Sequence, residues 1–191
     1  MKYKRINEAL IILIVILLSV FSYKLDAQVN LFFKDVKFPI FDFALSTITN
    51  FGVVVLVMLA IPTIIIHKKN KKASCLLWLA FAISLVLAFL IKLIVLRQRP
   101  ENAFTYSFIR VLNYSFPSMH SMAVFSLLPL LATYLPRQKT FWTAFAFLAA
   151  FSRIYFGLHF LSDVVFGALL GYFIGYSLLK LYEKRKLALW K

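Results

Sequence analysis

Residues 74–96 read SCLLWLAFAISLVLAFLIKLIVL, twenty-three positions carrying a single charge, Lys92. A helix rises about 1.5 Å per residue, so this stretch matches a hydrocarbon layer about 30 Å thick. Working outward, comparable apolar windows fall at 6–23, 49–66, 119–135, 140–156 and 162–182. Together they predict six transmembrane helices.

Composition leads to the same class. The chain has 191 residues, 62% hydrophobic and 15% charged, with a mean hydropathy of +0.85. Ordinary soluble domains are about 45–50% apolar and still expose roughly a third of their unfolded surface, so a soluble fold could not hide this excess. Disordered chains are poor in apolar residues, which removes that class too. The expectation is an all-α polytopic membrane protein, one bundle of six helices forming a single domain over residues 1–191. The first window follows Lys2, Lys4 and Arg5. No small-residue cleavage pattern comes after it, so it reads as a retained anchor.

There are 22 Lys+Arg against 7 Asp+Glu, a net charge of +15. In a soluble protein this would suggest a nucleic-acid partner. Here fourteen of the 22 lie in four segments: the N-terminus, Lys68–Lys72, Arg137 with Lys139, and the C-terminal stretch from Lys180. All four fall on one side of a six-span layout, which the positive-inside rule makes cytoplasmic. The expectation is a cell-membrane protein with both termini inside and no nucleic-acid partner. On the other side, residues 24–48 mix charge with Phe32, Phe33, Phe38, Phe41 and Phe43, a composition suited to an interfacial segment. Cys75 cannot form an intrachain disulfide and reads as a packed thiol. Gly167, Gly171 and Gly175 put a small-residue stripe on the last helix, for packing within the chain or as a homodimer seam. Monomer and homodimer both remain open.

Ionisable groups in or beside apolar spans cost at least about 2.5 kcal/mol at the bilayer centre, so each is a functional candidate. They are Lys92, Arg99, His120, Arg153, His159 and Asp163. In the six-span layout all of them fall at the outer ends of the last four helices. Three cations suit an anion, and arginine grips phosphate oxygens in pairs. Two histidines can serve as nucleophile and general acid. Asp163, four residues after His159, can hold its imidazole. The set reads as phosphoryl transfer by positioning and charge, and one carboxylate among three cations is a poor divalent-metal site. Taken singly, Lys92 could snorkel and the His159–Asp163 pair could be plain interfacial residues; six such groups on one face point beyond that. Arg97 is assigned to snorkelling and Arg110 to headgroup contact.

These residues also resemble a known family. KLIVLRQRP at 92–100, PSMH at 117–120 and SRIYFGLHFLSD at 152–163 resemble the three signatures of the type-2 phosphatidic acid phosphatase family, in order and at sensible spacing. The resemblance implies that Lys92, Arg99 and Arg153 bind phosphate, helped by Ser118 and the backbone N–H of Met119. It implies that His159 forms a phosphohistidine, that Asp163 orients it, that His120 protonates the leaving oxygen, and that no metal or other cofactor is needed. Met119 stands where the family has glycine. A positive φ there would cost about 1–2 kcal/mol, but Pro117 and Ser118 read as a helix start from which Met119 can present its N–H in ordinary conformation. Its bulk is expected to narrow the headgroups accepted.

The expected substrate is a lipid phosphate or pyrophosphate arriving sideways from the outer leaflet. Polyprenyl pyrophosphate, phosphatidic acid and phosphatidylglycerol phosphate lead, with lipid A 1-phosphate next. The aromatic stretch 103–116 reads as an interfacial lid. Transfer to another acceptor is one rival. An anion transporter is the other, and it leaves His120 and the His159–Asp163 pair without work.

Overall fold

The computed structural model describes residues 8–36, 38–100 and 110–184. Among the described residues the regular structure is entirely helical. The main helices are α1 (Glu8–Asp35), α2 (Pro39–Thr49), α3 (Phe51–Val55), α4 (Ile61–His67), α5 (Lys71–Val95), α6 (Met119–Tyr134), α7 (Lys139–Tyr155) and α8 (Leu161–Glu183). A π-helical turn, Leu56–Ala60, joins α3 to α4. It lies just before Pro62, whose ring would clash with a carbonyl four residues earlier in a regular helix, and the wider turn relieves that clash.

Three described segments are long and apolar enough to cross a bilayer alone: Leu13–Lys34, Lys71–Val95 and Leu161–Glu183. A fourth forms if Pro39–Thr49 and Phe51–His67, bent by 62°, count as one span. Helix α6 has 16 residues and α7 has 17. Both are shorter than the roughly 20 residues that usually span.

The first helix departs from expectation. Instead of ending near Tyr23, α1 runs on to Asp35 and takes in the first half of the expected connector. The second half is α2, which leaves Phe38, Ile40, Phe41 and Phe43 exposed. Helix α2 is pinned to α7 by Tyr155, whose hydroxyl donates to Asp42 (2.7 Å) and accepts the Phe38 N–H (2.9 Å). Cys75 is exposed, not packed, because it lies on the outward face of α5 between buried Ser74 and Leu76.

Helix α6 is the centre of the bundle: every residue from Ser121 to Leu131 is buried. It packs on α5, α7 and α8. The glycine stripe is used within the chain, against α6. A Cβ at Gly167 would meet the Ser118 carbonyl oxygen at 2.8 Å, one at Gly171 the Met122 oxygen at 2.3 Å, and one at Gly175 the Ser126 oxygen at 1.9 Å. Those surfaces are therefore not available as a homodimer seam.

Each of these obstacles is backbone, so a side chain cannot simply swing away. Overpacking of this kind costs about 1–3 kcal/mol, and Gly175→Ala is expected to lower the thermal midpoint in detergent by roughly 5 °C. An unchanged midpoint, read by intrinsic fluorescence on monodisperse protein, would contradict this helix contact.

Candidate active site

The end of α5 supplies the first two cations. Lys92 sits in the last turn with only 1% of its surface exposed, and its ammonium donates to the Tyr114 carbonyl. Leu96 then ends the helix in the left-handed region (φ 52°), turning the chain so that Arg97 and Arg99 serve different sites. Arg99 donates to three backbone carbonyls: Asn113 (3.1 Å), Leu112 (2.8 Å) and Leu158 (2.8 Å).

The start of α6 supplies the second group. Ser118 is the N-cap: its hydroxyl is fully buried, accepts from the Ser121 N–H (3.4 Å) and lies 3.1 Å from the Ser121 hydroxyl. Met119 is the first helical residue and has no positive φ. The glycine position is thus filled without backbone strain. Its N–H is among the first four of a helix, which have no carbonyl within the helix to bond and favour anions. His120 follows. Its Nε2 is 3.0 Å from the Thr49 carbonyl, so Nε2 carries the proton, and its ring meets Phe51 edge-on at 4.9 Å.

The α7–α8 turn supplies the third. Arg153, buried in the last turn of α7, donates to the Thr49 hydroxyl at 2.5 Å. Gly157, at φ 65°, permits the reversal that follows. The backbone N–H groups of Leu158 and His159 both donate to the Arg153 carbonyl (3.0 and 3.1 Å), fixing the turn. The Nδ1 of His159 is 3.5 Å from Asp163 Oδ2, longer than an ordinary hydrogen bond. Such contacts in unliganded sites commonly tighten when substrate binds. His159 lies in the turn between α7 and α8. Burial, and then the cations Arg153, Arg99 and Lys92, hold its imidazole well below the ordinary histidine range. It is therefore neutral, with a free lone pair.

Lys92, Arg99, Met119, His120, Arg153 and His159 line one cavity of about 210 Å³, together with Phe51 and Leu112. Two expected residues do not reach its wall. Ser118 caps α6, and Asp163 stands behind His159 with no exposed surface. Among the described residues the cavity wall carries three cations, two histidines and no carboxylate. An arrangement of this kind can bind a polyanion, attack it with a neutral imidazole and protonate a leaving group from the other side. Among the described residues no three His, Cys, Asp or Glu side chains cluster as metal ligands.

Arg97 corrects one sequence expectation. It does not snorkel: its guanidinium bonds Asp26 (2.7 Å), Asp163 (2.8 Å) and the Ser162 hydroxyl (2.7 Å). Asp26 and Thr49 were not singled out from the sequence. The available signal for Asp26 was a lone carboxylate that falls within a spanning helix once α1 is continued. Thr49 acts through its carbonyl and a short hydroxyl contact, which composition does not reveal. Of the expected lid, Phe116 packs on Phe166 (centroids 4.7 Å apart), and Phe104, Tyr106 and Phe108 lie outside the described residues, as does the side chain of Arg110.

The chain resembles several characterised proteins. It is 28% identical over 173 residues to the lipid A 4'-phosphatase of Bacteroides thetaiotaomicron, covering 82% of this chain and 76% of that one. It is 29% identical over 119 residues to the undecaprenyl-diphosphatase of Sulfolobus acidocaldarius, covering 59% of this chain and 57% of that protein. Among solved structures, the transmembrane PAP2-type phosphatidylglycerolphosphate phosphatase of Bacillus subtilis superposes with a TM-score of 0.74 over 94% of this chain and 98% of its own. At 23% identity that is a likeness of fold. Aquifex aeolicus LpxE superposes with a TM-score of 0.65 at 27% identity, over 82% of this chain and 95% of its own. Residues 73–187, which contain the whole cavity except Phe51, match the model of the PAP2 superfamily, and the chain belongs to that superfamily.

Proposed function

We propose that the protein is a metal-independent lipid phosphatase that works through a phosphohistidine. The observation that carries this reading is the cavity itself, with three cations and two histidines together on its wall. A lipid phosphate entering it would place its oxygens against Lys92, Arg99, Arg153 and the Met119 N–H. The neutral His159 would attack phosphorus through Nε2, the nitrogen away from Asp163, as the bond to the lipid oxygen breaks. His120, carrying a proton on each ring nitrogen once the anionic lipid is bound, would give one to that oxygen and be left as the neutral imidazole. Water, deprotonated by the same His120, would then attack the phosphohistidine and release phosphate. Most of the catalytic work is positioning and charge stabilisation, as phosphoryl transfer requires.

Relatives named lipid A 4'-phosphatase and undecaprenyl-diphosphatase support a lipid substrate. The candidates are polyprenyl pyrophosphate, phosphatidic acid and phosphatidylglycerol phosphate, followed by a lipid A phosphate. The proposed setting is the cell membrane, with six spans in one domain, α6 and α7 included, and both termini cytoplasmic. The site then faces outward, because it lies at the opposite end of α5 from the lysines at 68–72.

Phosphate release from these four lipids, with EDTA present, tests the reading. At least one lipid is expected to turn over, and His159→Ala is expected to lose about 10⁴-fold or more, as nucleophile removal typically does. No release by folded wild-type protein, or activity kept in His159→Ala, would refute it. Met119→Gly in the same panel is expected to broaden headgroup range; unchanged relative rates would show that Met119 sets no selectivity.

The electrostatics of His159 give a pH dependence with a definite sign. Protonation removes the attacking lone pair, and the lowered proton affinity postpones that loss to below the usual value near 6.5. The free enzyme's groups are read in kcat/KM, which should therefore show no loss from this imidazole between about pH 7 and about pH 6. A fall centred near the ordinary histidine value would contradict the neutral, cation-surrounded imidazole.

A further inference from the structure

Behind His159, on the side away from the cavity, lies a chain of charges that the phosphatase reading above does not use. Asp26, on α1, is 5% exposed and is the one carboxylate between Leu13 and Lys34 of that helix. Its Oδ1 accepts the Ser162 N–H (2.8 Å), and its Oδ2 accepts from the Ser162 hydroxyl (2.6 Å) and Arg97 Nη2 (2.7 Å). Arg97 Nη1 reaches on to Asp163 Oδ1 (2.8 Å). The guanidinium also lies 4.0 Å from the centroid of Phe160, the residue next to His159. Asp163 Oδ2 is left facing the Phe160 N–H (2.9 Å) and His159 Nδ1. Three segments distant in sequence thus meet on the first turn of α8.

We propose that Arg97 and Asp26 are positioning residues for the nucleophile, an inference that rests on the phosphatase reading. Arg97 occupies Oδ1 of Asp163 and so aims Oδ2 at the imidazole. Asp26 holds Arg97 in place and balances its charge. When His159 bonds to phosphorus through Nε2, its ring becomes cationic and Nδ1 must keep its proton. A carboxylate aimed at that N–H stabilises the cation, and a carboxylate fully neutralised by an unbalanced arginine would do so less well. With Asp26 present, the Asp26–Arg97–Asp163 set retains one net negative charge beside the developing imidazolium. Without Arg97, two buried carboxylates would face each other across the first turn of α8 and repel. A surface role for Arg97 would need neither Asp26 nor Ser162.

The test is steady-state kinetics on purified Arg97→Met, Arg97→Lys and Asp26→Asn, using whichever lipid the wild type turns over, with thermal midpoints measured alongside. A misplacement of about 1 Å can cost about 100-fold in rate. Arg97→Met is expected to lose about 10- to 100-fold in kcat with KM changed less than about threefold. Arg97→Lys should recover part of that loss, and Asp26→Asn should lose about tenfold in kcat. Kcat within about twofold of wild type in Arg97→Met and Asp26→Asn, or a loss confined to KM, would overturn the proposal. Should the single variants fail to fold, the charge-balanced double variant Asp26→Asn/Arg97→Met carries the same test. His159→Ala in the same assay separates the two readings. An inactive wild type refutes the phosphatase, whereas an inactive His159→Ala beside near-normal Arg97 variants refutes only the positioning role.

Discussion

The close approach of α6 and α8 is the constraint on which the site depends. Three glycines let α8 lie against the α6 backbone, so near that a methyl group at Gly175 would stand 1.9 Å from the Ser126 carbonyl oxygen. The same contact runs up to the start of both helices, where the Ser118 N–H donates to the Asp163 carbonyl at 3.1 Å. That bond ties the start of α6, bearing Met119 and His120, to the turn bearing His159. In lipid no hydrophobic force drives helices together, so such close packing and backbone contact must supply the association. The placing of the two histidines thus depends on glycines that take no part in the chemistry.

The cations are held by a different device. Lys92 donates to the Tyr114 carbonyl, and Arg99 to the carbonyls of Leu112, Asn113 and Leu158. Carbonyl oxygens orient a cation without cancelling its full charge, as a carboxylate would. Among the described residues, the carboxylates Asp163 and Asp26 stand on the other side of His159, where they share Arg97. The described charges are thus positive at the cavity and, on balance, negative behind it. This polarity suits an anion attacked by an imidazole that becomes cationic as it reacts.

Much of this was legible in the sequence because membrane helices leave few places for ionisable groups. Lys92, His120, Arg153 and His159 stood out against apolar runs, and the glycine spacing announced a helix contact. Ser118 as the start of a helix, with Met119 unstrained after it, followed from the capping preference of serine. The misses have physical causes too. Arg97 was read as solvent-seeking because its partner, Asp26, lies 71 residues away in sequence. Asp26 was hidden by ending α1 too early, since Lys24 and Asp26 together look like a loop until the helix is carried through them. Thr49 contributes a backbone carbonyl to His120, and a carbonyl has no sequence signature.

The central claim is that His159 becomes covalently phosphorylated, and trapping that species tests it most directly. Wild-type protein would be mixed for milliseconds with lipid labelled in its phosphate, quenched in alkali, which preserves phosphohistidine, and mapped by peptide mass spectrometry. The account predicts label on the peptide containing His159, at Nε2, and accumulation of that label in His120→Ala if loss of the base slows hydrolysis more than attack. Turnover without a phosphoenzyme, or label on any residue other than His159, would contradict it.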